Sequence, residues 1–381
     1  MKICNVIISN FYKEGYGYQE NILPQKQMQN GHDVCIITCY NNGKQAPCEY
    51  INDRGVRVVV LSKKQSWLQK IPVLTAGVDK SIGLHESLVK ECPDVIFAHG
   101  IYAHDHRWII KYKKEHPNVK LFVDNHADYY NNKGYNSIAG KLTRFLYIKP
   151  MLNKLTPLVE KYWGVVPWRV KFLREIFGLP AEKTELLIMG GDENLVDWHN
   201  KDSIKREIRT KYKIPEDAFL IVSGGKIDRA KNFDKLIDAV TELQNNNIFL
   251  LLFGNIEPDM QYLKDFHNSQ VVLTGWLPAD DAYSLYLSAD LGFFPGTHSV
   301  LWEQACLCGL PCVFKDWDGG FNHVDRKGNC ILLKDPNKKN ISELIIKLYG
   351  NDEMYQTMKE KAIAERLFFS YKEIAKHSIL S

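Results

Sequence analysis

The stretch "FFPGTHSVLWEQACLCGLP" (residues 293–311) joins a short apolar run to a segment of small and apolar residues. The apolar run predicts a buried strand, the Pro-Gly pair a loop, and the remainder a helix that begins near Val300. One acid, Glu303, falls on the first turn of that helix. Strands that lead through a loop into a helix are the unit of α/β folds, so this stretch predicts a parallel sheet.

The same alternation of strands and helices continues on both sides of this stretch. Ten apolar runs predict strands: "KICNVIIS", "DVCIITCY", "VRVVVLS", "DVIFAHG" and "KLFVDNH" in a first series, then "AFLIVSGG", "NIFLLLFGN", "QVVLTGW", "LGFFPG" and "PCVFKD" in a second. The polar segment "DENLVDWHNKDSIKREIRTKYKIPED" lies between the two series and suits a hinge. We expect an α/β protein with two Rossmann-like parallel-sheet domains that face a central cleft.

Length and composition agree with that organisation. A chain of 381 residues exceeds one ordinary core, so two domains are expected. The expected boundaries are residues 1–197 and 198–362. A terminal helix near residues 352–378 should pack back on the first domain through its last part, 363–381.

The charge balance and the cysteines bear on location and partners. The formal net charge of +4 is small for this length and gives no reason to expect nucleic acid as a partner. Nine scattered cysteines form no disulfide framework or paired C-x-x-C clusters, which favours reduced thiols. The first residues lack the pattern of a signal peptide, and no apolar run is long enough for a membrane span. We expect a cytoplasmic protein, at most peripheral at the inner face of the membrane.

Two loops of the second series suit the binding of a phosphorylated ligand. "GGKIDRAKN" (residues 224–232) follows a predicted strand and combines Gly225 with the cations Lys226, Arg229 and Lys231. Close backbone approach and positive charge are what a diphosphate requires, although a solvated basic loop has the same composition. It is not a Walker loop, since the required order of residues is absent.

The second of these loops leads into the helix that carries Glu303. Ser299 is placed to cap this helix, whose first N–H groups would form an anion site. The Glu303 carboxylate beside the anion suits paired hydroxyls such as those of a ribose. The alternative is that Glu303 only complements the helix dipole.

Polar residues also follow strands of the first series. "YKEGYGYQEN" (residues 12–21) has a G-x-G pair, but Glu20 stands where a dinucleotide fingerprint has its third glycine. "VDNHADYYN" (residues 123–131) places His126 and Asp128 at a strand end. His126 could bind a sugar hydroxyl or a phosphate, or be a structural histidine, and Asp128 could orient a hydroxyl. "AHGIYAHDHRW" holds His99, His104 and His106, but few acids at ligand spacing, so a zinc site is the weaker interpretation.

Taken together, these motifs resemble the retaining glycosyltransferases of GT-B fold, in glycosyltransferase family four (glycosyl transferases group 1). The matching segments run in order along almost the whole chain: "GYGYQEN", "NGHDVCIIT", "MGGDENL", "GGKIDRAKN" and "FFPG…LWEQACLCGLPCVF". The resemblance implies a nucleotide-diphosphate sugar as donor substrate, with no cofactor and no metal. It also implies transfer of a hexosyl unit to an acceptor hydroxyl with retention at the anomeric carbon.

The resemblance assigns roles by position. Lys226 and Lys231 match the family's arginine-lysine pair on the donor diphosphate, Glu303 matches the glutamate on the ribose, and His126 matches a histidine near the donor sugar and the acceptor. The expected catalytic residues are His126, Lys226, Lys231 and Glu303. The expected donor-binding residues are Gly17, Gly225, Arg229, Trp276, Leu277, Thr297, His298, Ser299 and Val300. The expected acceptor-binding residues are Tyr18 and Asp128.

One position departs from the family. The first glutamate of its Glu-x7-Glu motif would fall at residue 295, where this chain has Pro295. That carboxylate normally reads hydroxyls of the donor sugar, so the resemblance does not define the sugar. Thr297 or His298 could take its place.

The expected function is therefore hexosyl transfer from a nucleotide-diphosphate sugar, with UDP as the expected nucleotide, in bacterial surface polysaccharide or glycan assembly. The acceptor would be a sugar or a lipid-linked sugar. The basic, aromatic-rich segment 140–164 could lie on an anionic membrane, or it could be an ordinary amphipathic helix covering the sheet. Two other functions stay open: a non-catalytic protein that binds nucleotide sugars or supports a partner, and a nucleotide-sugar epimerase.

Overall fold

A computed structural model describes residues 1–8, 12–64, 80–101, 105–243, 245–278 and 280–380. The chain forms two compact units: Met1–Ile188 with the C-terminal segment from Tyr371, and Met189–Ser370. Relative to the boundaries expected at 197 and 362, residues 189–197 and 363–370 belong to the second unit.

The first unit is built on an eight-stranded sheet with the order β10-β9-β8-β7-β1-β2-β4-β3. All neighbours in it are parallel except β3 and β4. A separate antiparallel pair consists of β5 and β6. The strands are β1 (Lys2–Ile7), β2 (Asp33–Thr38), β3 (Cys48–Ile51), β4 (Arg57–Val60), β5 (Ser62–Lys64), β6 (Lys80–Ile82), β7 (Val95–Ala98), β8 (Lys120–Asn125), β9 (Lys161–Gly164) and β10 (Thr184–Leu186).

The second unit has a six-stranded parallel sheet with the order β13-β12-β11-β14-β15-β16. Its strands are β11 (Phe219–Gly224), β12 (Ile248–Phe253), β13 (Val271–Leu273), β14 (Leu291–Phe294), β15 (Cys312–Lys315) and β16 (Cys330–Leu333). All ten predicted strands are confirmed. Runs such as "IFLLLF" form central strands because both of their faces are buried, which continuous apolar sequence allows.

The strand order reverses direction once in each sheet. In the first unit this switch point lies between β1 and β7, and in the second it lies between β11 and β14. Open parallel sheets bind ligands beyond the carboxyl ends of their strands at such a point. The loops after these four strands are therefore the places where a site is expected.

Helices connect the strands and complete each unit. They are α1 (Gln19–Gln29), α2 (Leu84–Glu91), α3 (His106–Glu115), α4 (Ile138–Thr143), α5 (Lys149–Leu155), α6 (Pro167–Phe177), α7 (Lys201–Lys211), α8 (Phe233–Glu242), α9 (Asp281–Ser288), α10 (Leu301–Leu307), α11 (Lys338–Gly350), α12 (Asp352–Glu365) and α13 (Tyr371–His377). A π-helical turn, Arg144–Ile148, joins α4 directly to α5. None of the helices in the described residues is long and apolar enough to cross a membrane.

Two expectations about helices were wrong in detail. The predicted terminal helix is broken into α12, a 3-10 turn at Arg366–Phe369, and α13, and it is α13 that packs against α1. The segment expected to act as a hinge contains α7, which packs on α9. Its Arg209 is buried and donates hydrogen bonds to the carbonyls of Glu216 and Ala218 and to the carboxylate of Asp290. The charged composition of this segment suggested a linker. The segment instead packs as part of the second unit, because the buried Arg209 guanidinium donates hydrogen bonds to several backbone carbonyls.

Candidate functional site

At the switch point of the second unit, the loops after β11 and β14 are joined by hydrogen bonds. The Thr297 N–H donates to the Ala230 carbonyl at 3.1 Å, and the Asn232 amide donates to the Pro295 carbonyl at 2.9 Å. The structure therefore brings the two motifs "GGKIDRAKN" and "PGTHSV" together, as neighbouring parallel strands require.

Two glycines permit this close approach. Gly225 has φ +115°, in the left-handed region that favours glycine, and directly follows β11. A Cβ on Gly296 would lie 2.3 Å from the Cα of Lys231. Any larger residue at position 296 would push the two loops apart.

Lys231 is the cation at the centre of these loops. It is buried, and its ammonium donates a hydrogen bond of 2.5 Å to the Thr297 carbonyl. Burial lowers the pKa of this ammonium to about 8, against the opposing effect of the Asp228 charge. Among the described residues, no carboxylate oxygen forms a salt bridge with it. A buried cation without a paired anion indicates a place for a negatively charged ligand.

The other two expected cations stand at the surface. The Lys226 side chain is 66% exposed and lies 3.6 Å from the Glu257 carboxylate. Arg229 is exposed, and its backbone N–H is bonded to Asp259. Both remain able to move towards a ligand, whereas Lys231 is fixed.

The start of α10 differs from the expectation. The helix has Val300 as its N-cap residue, with no side-chain cap, so the predicted Ser299 cap is wrong. The Ser299 hydroxyl is buried and has no hydrogen-bond partner among the described residues. The main chain instead closes a turn in which the Trp302 N–H donates to the Ser299 carbonyl, which leaves the hydroxyl out of the capping position.

Glu303 is fully buried and held by two histidines. The Nε2 atoms of His298 and His323 both lie 2.8 Å from Oε1 of Glu303. Burial opposes ionisation of this carboxyl, but the two imidazoles, His298 foremost, lower its pKa to about 2. The carboxylate is thus ionised, and no part of it reaches solvent in this structure.

These three residues are also the group whose atoms could hold a metal ion. Within the described part of the chain, this is the set of three His, Cys, Asp or Glu ligand atoms that lie within 4.8 Å of one another. No metal was expected from the sequence, and no role was predicted for His323. That residue lies in a short 3-10 turn, Asn322–Val324, with no motif around it.

The expected nucleobase contact lies at the end of β13. Trp276 is 66% exposed, and Leu277 is partly buried beside it. The preceding Gly275 accepts a hydrogen bond from the Gly254 N–H through its carbonyl, which ties this loop to the end of β12. The exposed indole is free to stack on a ring.

In the first unit, the loop after β1 leads into α1. Gly17 is partly buried, and Tyr18 is half exposed and stacked on Tyr16 with ring centroids 5.1 Å apart. The Tyr18 carbonyl accepts the first hydrogen bonds of α1, from Asn21 and Ile22. These positions remain candidates for the glycine loop that the sequence indicated.

His126 belongs to a buried group at the end of β8. Its Nε2 lies 3.4 Å from Oδ2 of Asp124, whose same oxygen is 2.7 Å from Nδ1 of His99. The Gly100 N–H donates to the other oxygen of Asp124. Burial disfavours the charged form of His126, but the carboxylates of Glu20 and Asp124 outweigh it and raise its pKa. Asp124 was not singled out, although it precedes His126 by two residues in "VDNH".

Asp128 has a structural task that the sequence did not indicate. Its Oδ2 lies 3.0 Å from Nε of Arg169. Its Oδ1 accepts hydrogen bonds from the N–H groups of Tyr130 and Asn131. Both oxygens are engaged, so an acceptor-binding role would have to compete with these partners.

The histidines weighed as zinc ligands have other partners. The Nε2–H of His106 donates a hydrogen bond to the Gly100 carbonyl, and burial lowers the pKa of His106 to about 4. His99 is paired with Asp124, and His104 lies outside the described residues.

A cavity in the first unit was also missed. It encloses about 820 Å³ and is lined by residues that follow β1 and β2, among them Tyr12, Lys13 and Tyr40. It lies at the carboxyl ends of the strands, where a ligand is expected. Tyr12 and Lys13 belong to the segment "YKEGYGYQEN", whereas no motif marks the lining residues that follow β2. Neither Tyr18 nor Asp128 lines it.

Comparison with solved structures identifies the fold. Anabaena Alr3699/HepE in complex with UDP has a TM-score of 0.71 at 16% identity, with 99% of this chain and 98% of that chain covered. Sucrose-phosphate synthase from Thermosynechococcus elongatus has a TM-score of 0.66 at 15% identity, covering 99% and 97%. UDP-GlcNAc 2-epimerase from Neisseria meningitidis, bound to UDP-GlcNAc, has a TM-score of 0.59 at 13% identity, covering 99% and 98%.

Comparison with curated proteins and with family models adds information about the second unit. None of the curated proteins compared with the chain matched it. Residues 204–365, which hold β11 to β16 and the joined loops, match the family model for glycosyl transferases group 1. This chain therefore has the GT-B fold, and its second unit carries a glycosyl transferases group 1 domain.

Proposed function

We propose that the protein is a retaining hexosyltransferase that uses a nucleotide-diphosphate sugar, with UDP as the nucleotide. The observation that carries this proposal is the buried Lys231, which has no paired carboxylate among the described residues and lies at the switch point of the group 1 domain. A diphosphate supplies the missing negative charge. UDP is chosen because Alr3699/HepE, a protein of the same fold, was crystallised with UDP and with UDP-glucose.

In the proposed reaction, the acceptor hydroxyl oxygen forms a bond to the anomeric carbon on the face that the diphosphate leaves. The bond from that carbon to the diphosphate oxygen breaks, and its electron pair stays with UDP. The acceptor proton passes to an oxygen of the leaving diphosphate. Lys231 and the exposed Lys226 stabilise the charge that develops there, so the proposal requires no metal. The sugar passes through an oxocarbenium-like state.

The remaining expected residues complete the assignment. Trp276 stacks on the uracil, Leu277 packs beside it, and Glu303 accepts hydrogen bonds from the ribose. On the first unit, we assign His126 to a sugar hydroxyl, because its side chain is 24% exposed whereas Asp124 behind it is fully buried. Gly17 and Tyr18 are assigned to the glycine loop and the acceptor side by the resemblance alone.

The test measures nucleotide binding and turnover separately. Melting temperature is recorded with UDP, GDP, ADP, CMP and dTDP, because a ligand bound only by the folded state raises it. We expect a selective rise with UDP that is lost in Lys231→Ala and kept in Lys235→Ala, a lysine of α8 outside the loops. Turnover is then followed as UDP release with an acceptor present. If none of the five nucleotides raises the melting temperature, the proposal is contradicted.

Two alternatives are separated by the same assay. The first alternative is an epimerase, because the UDP-GlcNAc 2-epimerase from Neisseria meningitidis has a similar fold. An epimerase leaves the sugar on its nucleotide, so UDP would not accumulate. A non-catalytic protein would bind UDP without turnover of any UDP-sugar. The replacement of the family's first glutamate by Pro295 is consistent with this alternative.

The acceptor side of the proposal rests on an exposed apolar surface of the first unit. The helical run from α4 to α5 presents five large apolar side chains to solvent: Ile138 (88% exposed), Leu142 (55%), Phe145 (69%), Leu146 (62%) and Tyr147 (45%). We name these five residues the apolar face. Further along, Leu152 and Leu155 are buried, so the same run is anchored in the core by its second half.

The charged residues along the segment that carries the apolar face are all basic. Between Asp128 and Glu160 the sequence has no acidic residue, whereas Lys141, Arg144 and Lys149 lie on the helical run. Apolar side chains flanked by cations are typical of a helix that lies in the surface of an anionic membrane. Lys161, at the end of the segment, does not contribute because it pairs with Glu185 on the next strand. The proposed occupant is an anionic lipid bilayer, at which a lipid-linked acceptor of surface polysaccharide assembly would be found.

Vesicle flotation tests this surface without any need for activity. We expect the protein to float with vesicles that contain phosphatidylglycerol and to remain below with pure phosphatidylcholine. Lys141→Glu should weaken binding about fivefold or more, since each basic residue near an anionic surface contributes ~1 kcal/mol. Phe145→Ser should also weaken it, whereas Leu367→Ser, which alters an exposed leucine of the second unit, should not. Equal flotation of all variants would contradict the proposed surface.

A further inference from the structure

The two oxygens of Glu303 have unequal surroundings. Oε1 has two imidazole nitrogens at 2.8 Å, while Oε2 is closed to solvent and has no hydrogen-bond partner among the described residues. An ionised oxygen that is buried without a donor is costly, so a partner from outside the described residues is expected.

Aromatic packing holds the two imidazoles in place. The His298 ring stacks on Phe321 with centroids 4.5 Å apart and planes at 8°, and its edge meets Trp302 at 5.0 Å. The side chains of His298 and His323 are only 4% and 2% exposed. With Nε2 of each ring at hydrogen-bond distance from the same carboxylate oxygen, each ring is assigned a proton on Nε2.

We propose that His298 and His323 are positioning residues that saturate Oε1 of Glu303 and leave Oε2 to accept both ribose hydroxyls of the donor nucleotide. This inference rests on the proposed function. A carboxylate oxygen has two acceptor sites, and a ribose presents two adjacent O–H donors. A phosphate would be repelled by the carboxylate. A metal ion would need both Nε2 atoms without protons, so metal binding and this arrangement exclude each other, and the experiment below distinguishes them.

Entry of the ribose requires a local rearrangement. Glu303 has no exposed surface without ligand, so the ribose has to displace part of its surroundings. Binding of the diphosphate at Lys231, whose ammonium is bonded to the carbonyl of Thr297, would act on the loop that precedes Glu303.

The experiment compares UDP with 2′-deoxy-UDP by calorimetry. We expect the full protein to prefer UDP about tenfold or more, as loss of a hydrogen bond to a charged group predicts. His323→Leu removes the donor and should bring the ratio near one, with KM for the UDP-sugar raised more than kcat is lowered. His323→Gln keeps an N–H near the position of Nε2 and should retain most of the preference. His267→Leu, an exposed histidine outside the cluster, is the control.

Each other outcome counts against the inference. An unchanged ratio in His323→Leu would overturn the positioning role, and His323→Asn replaces that variant if it does not fold. Equal binding of UDP and 2′-deoxy-UDP by the unaltered protein would overturn the ribose contact but leave the proposed function standing. Absence of any UDP binding would overturn both. Zinc binding in equilibrium dialysis that depends on His323 would overturn the hydroxyl partner in favour of a metal.

Discussion

The two units each contain a buried carboxylate between two histidines, and the two groups differ in which member is left available. In the first unit, Oδ1 of Asp124 accepts a hydrogen bond from the Gly100 N–H, and its Oδ2 lies within ion-pair distance of His99 (2.7 Å) and His126 (3.4 Å) without a well-aligned hydrogen bond to either. The His126 side chain is 24% exposed. In the second unit, His298 and His323 are buried, and Oε2 of Glu303 is the atom without a partner.

This difference indicates that the Asp124 group and the Glu303 group have different roles. A carboxylate that is ion-paired behind a partly exposed imidazole serves to orient that imidazole and to support its charge. Buried imidazoles around an incompletely satisfied carboxylate serve to present the carboxylate. The first group therefore suits a histidine that meets a ligand, and the second suits an acidic residue that does so.

The largest expected effect concerns stability and would break the comparison if absent. Asp124→Asn should lower the free energy of unfolding by about 3 kcal/mol, because it removes the buried negative charge with which His99 and His126 are paired. Glu303→Gln should change it by about 1 kcal/mol or less, because the amide oxygen can keep both imidazole contacts of Oε1 and the amide nitrogen replaces an oxygen that has no partner among the described residues. Urea unfolding of both variants at pH 7 measures the difference.

The contribution of Asp124 to the stability of the fold should depend on pH. Burial opposes ionisation of Asp124, but His99 and His126 lower its pKa in the folded chain below the ordinary 3.8. The stability that the ionised form contributes is therefore present above about pH 4 and is lost as the pH falls below that value. The gap between the unaltered protein and Asp124→Asn should shrink in acid. A gap that is constant from pH 7 to pH 3 would contradict the assignment.

The next effect concerns Lys231 and sharpens the role of the second unit. With its pKa at about 8, this lysine loses its proton as the pH rises, so the affinity for UDP should fall about fivefold from pH 8 to pH 9. Lys231→Arg, which stays charged, should flatten this dependence, and Lys226→Arg should not. Calorimetry over this pH range is the measurement. Retention of the full slope in Lys231→Arg would show that another group titrates.

Sequence alone could predict the elements that repeat a local pattern. The ten apolar runs became strands because central parallel strands are buried on both faces, which continuous apolar sequence reports directly. The approach of Lys231 to Thr297 was also predictable in outline, since strands β11 and β14 could be expected at a switch point.

What sequence could not predict depends on contacts between distant residues. His323 reaches Glu303 from 20 residues away in a short 3-10 turn, and no spacing rule marks it. Arg209 turns a charged stretch into a packed helix through carbonyls that only the folded chain assembles. Ser299 has the residue type of a cap, but the turn before α10 places Val300 there.

The smallest expected effect tests the outer edge of the donor site. Trp276 is 66% exposed, so Trp276→Ala should leave the melting temperature of the free protein nearly unchanged. Stacking of a base on an aromatic ring contributes ~1 kcal/mol or more, so the affinity for UDP should fall about fivefold. Trp276→Phe keeps a ring and should recover most of it. Because Glu303 and Lys231 bind the ribose and the diphosphate in the proposal, the preference for UDP over 2′-deoxy-UDP should persist in both variants. Loss of that preference together with the base contact would mean that Trp276 orders the loops themselves, and the separation of the donor site into base, ribose and diphosphate contacts would be wrong.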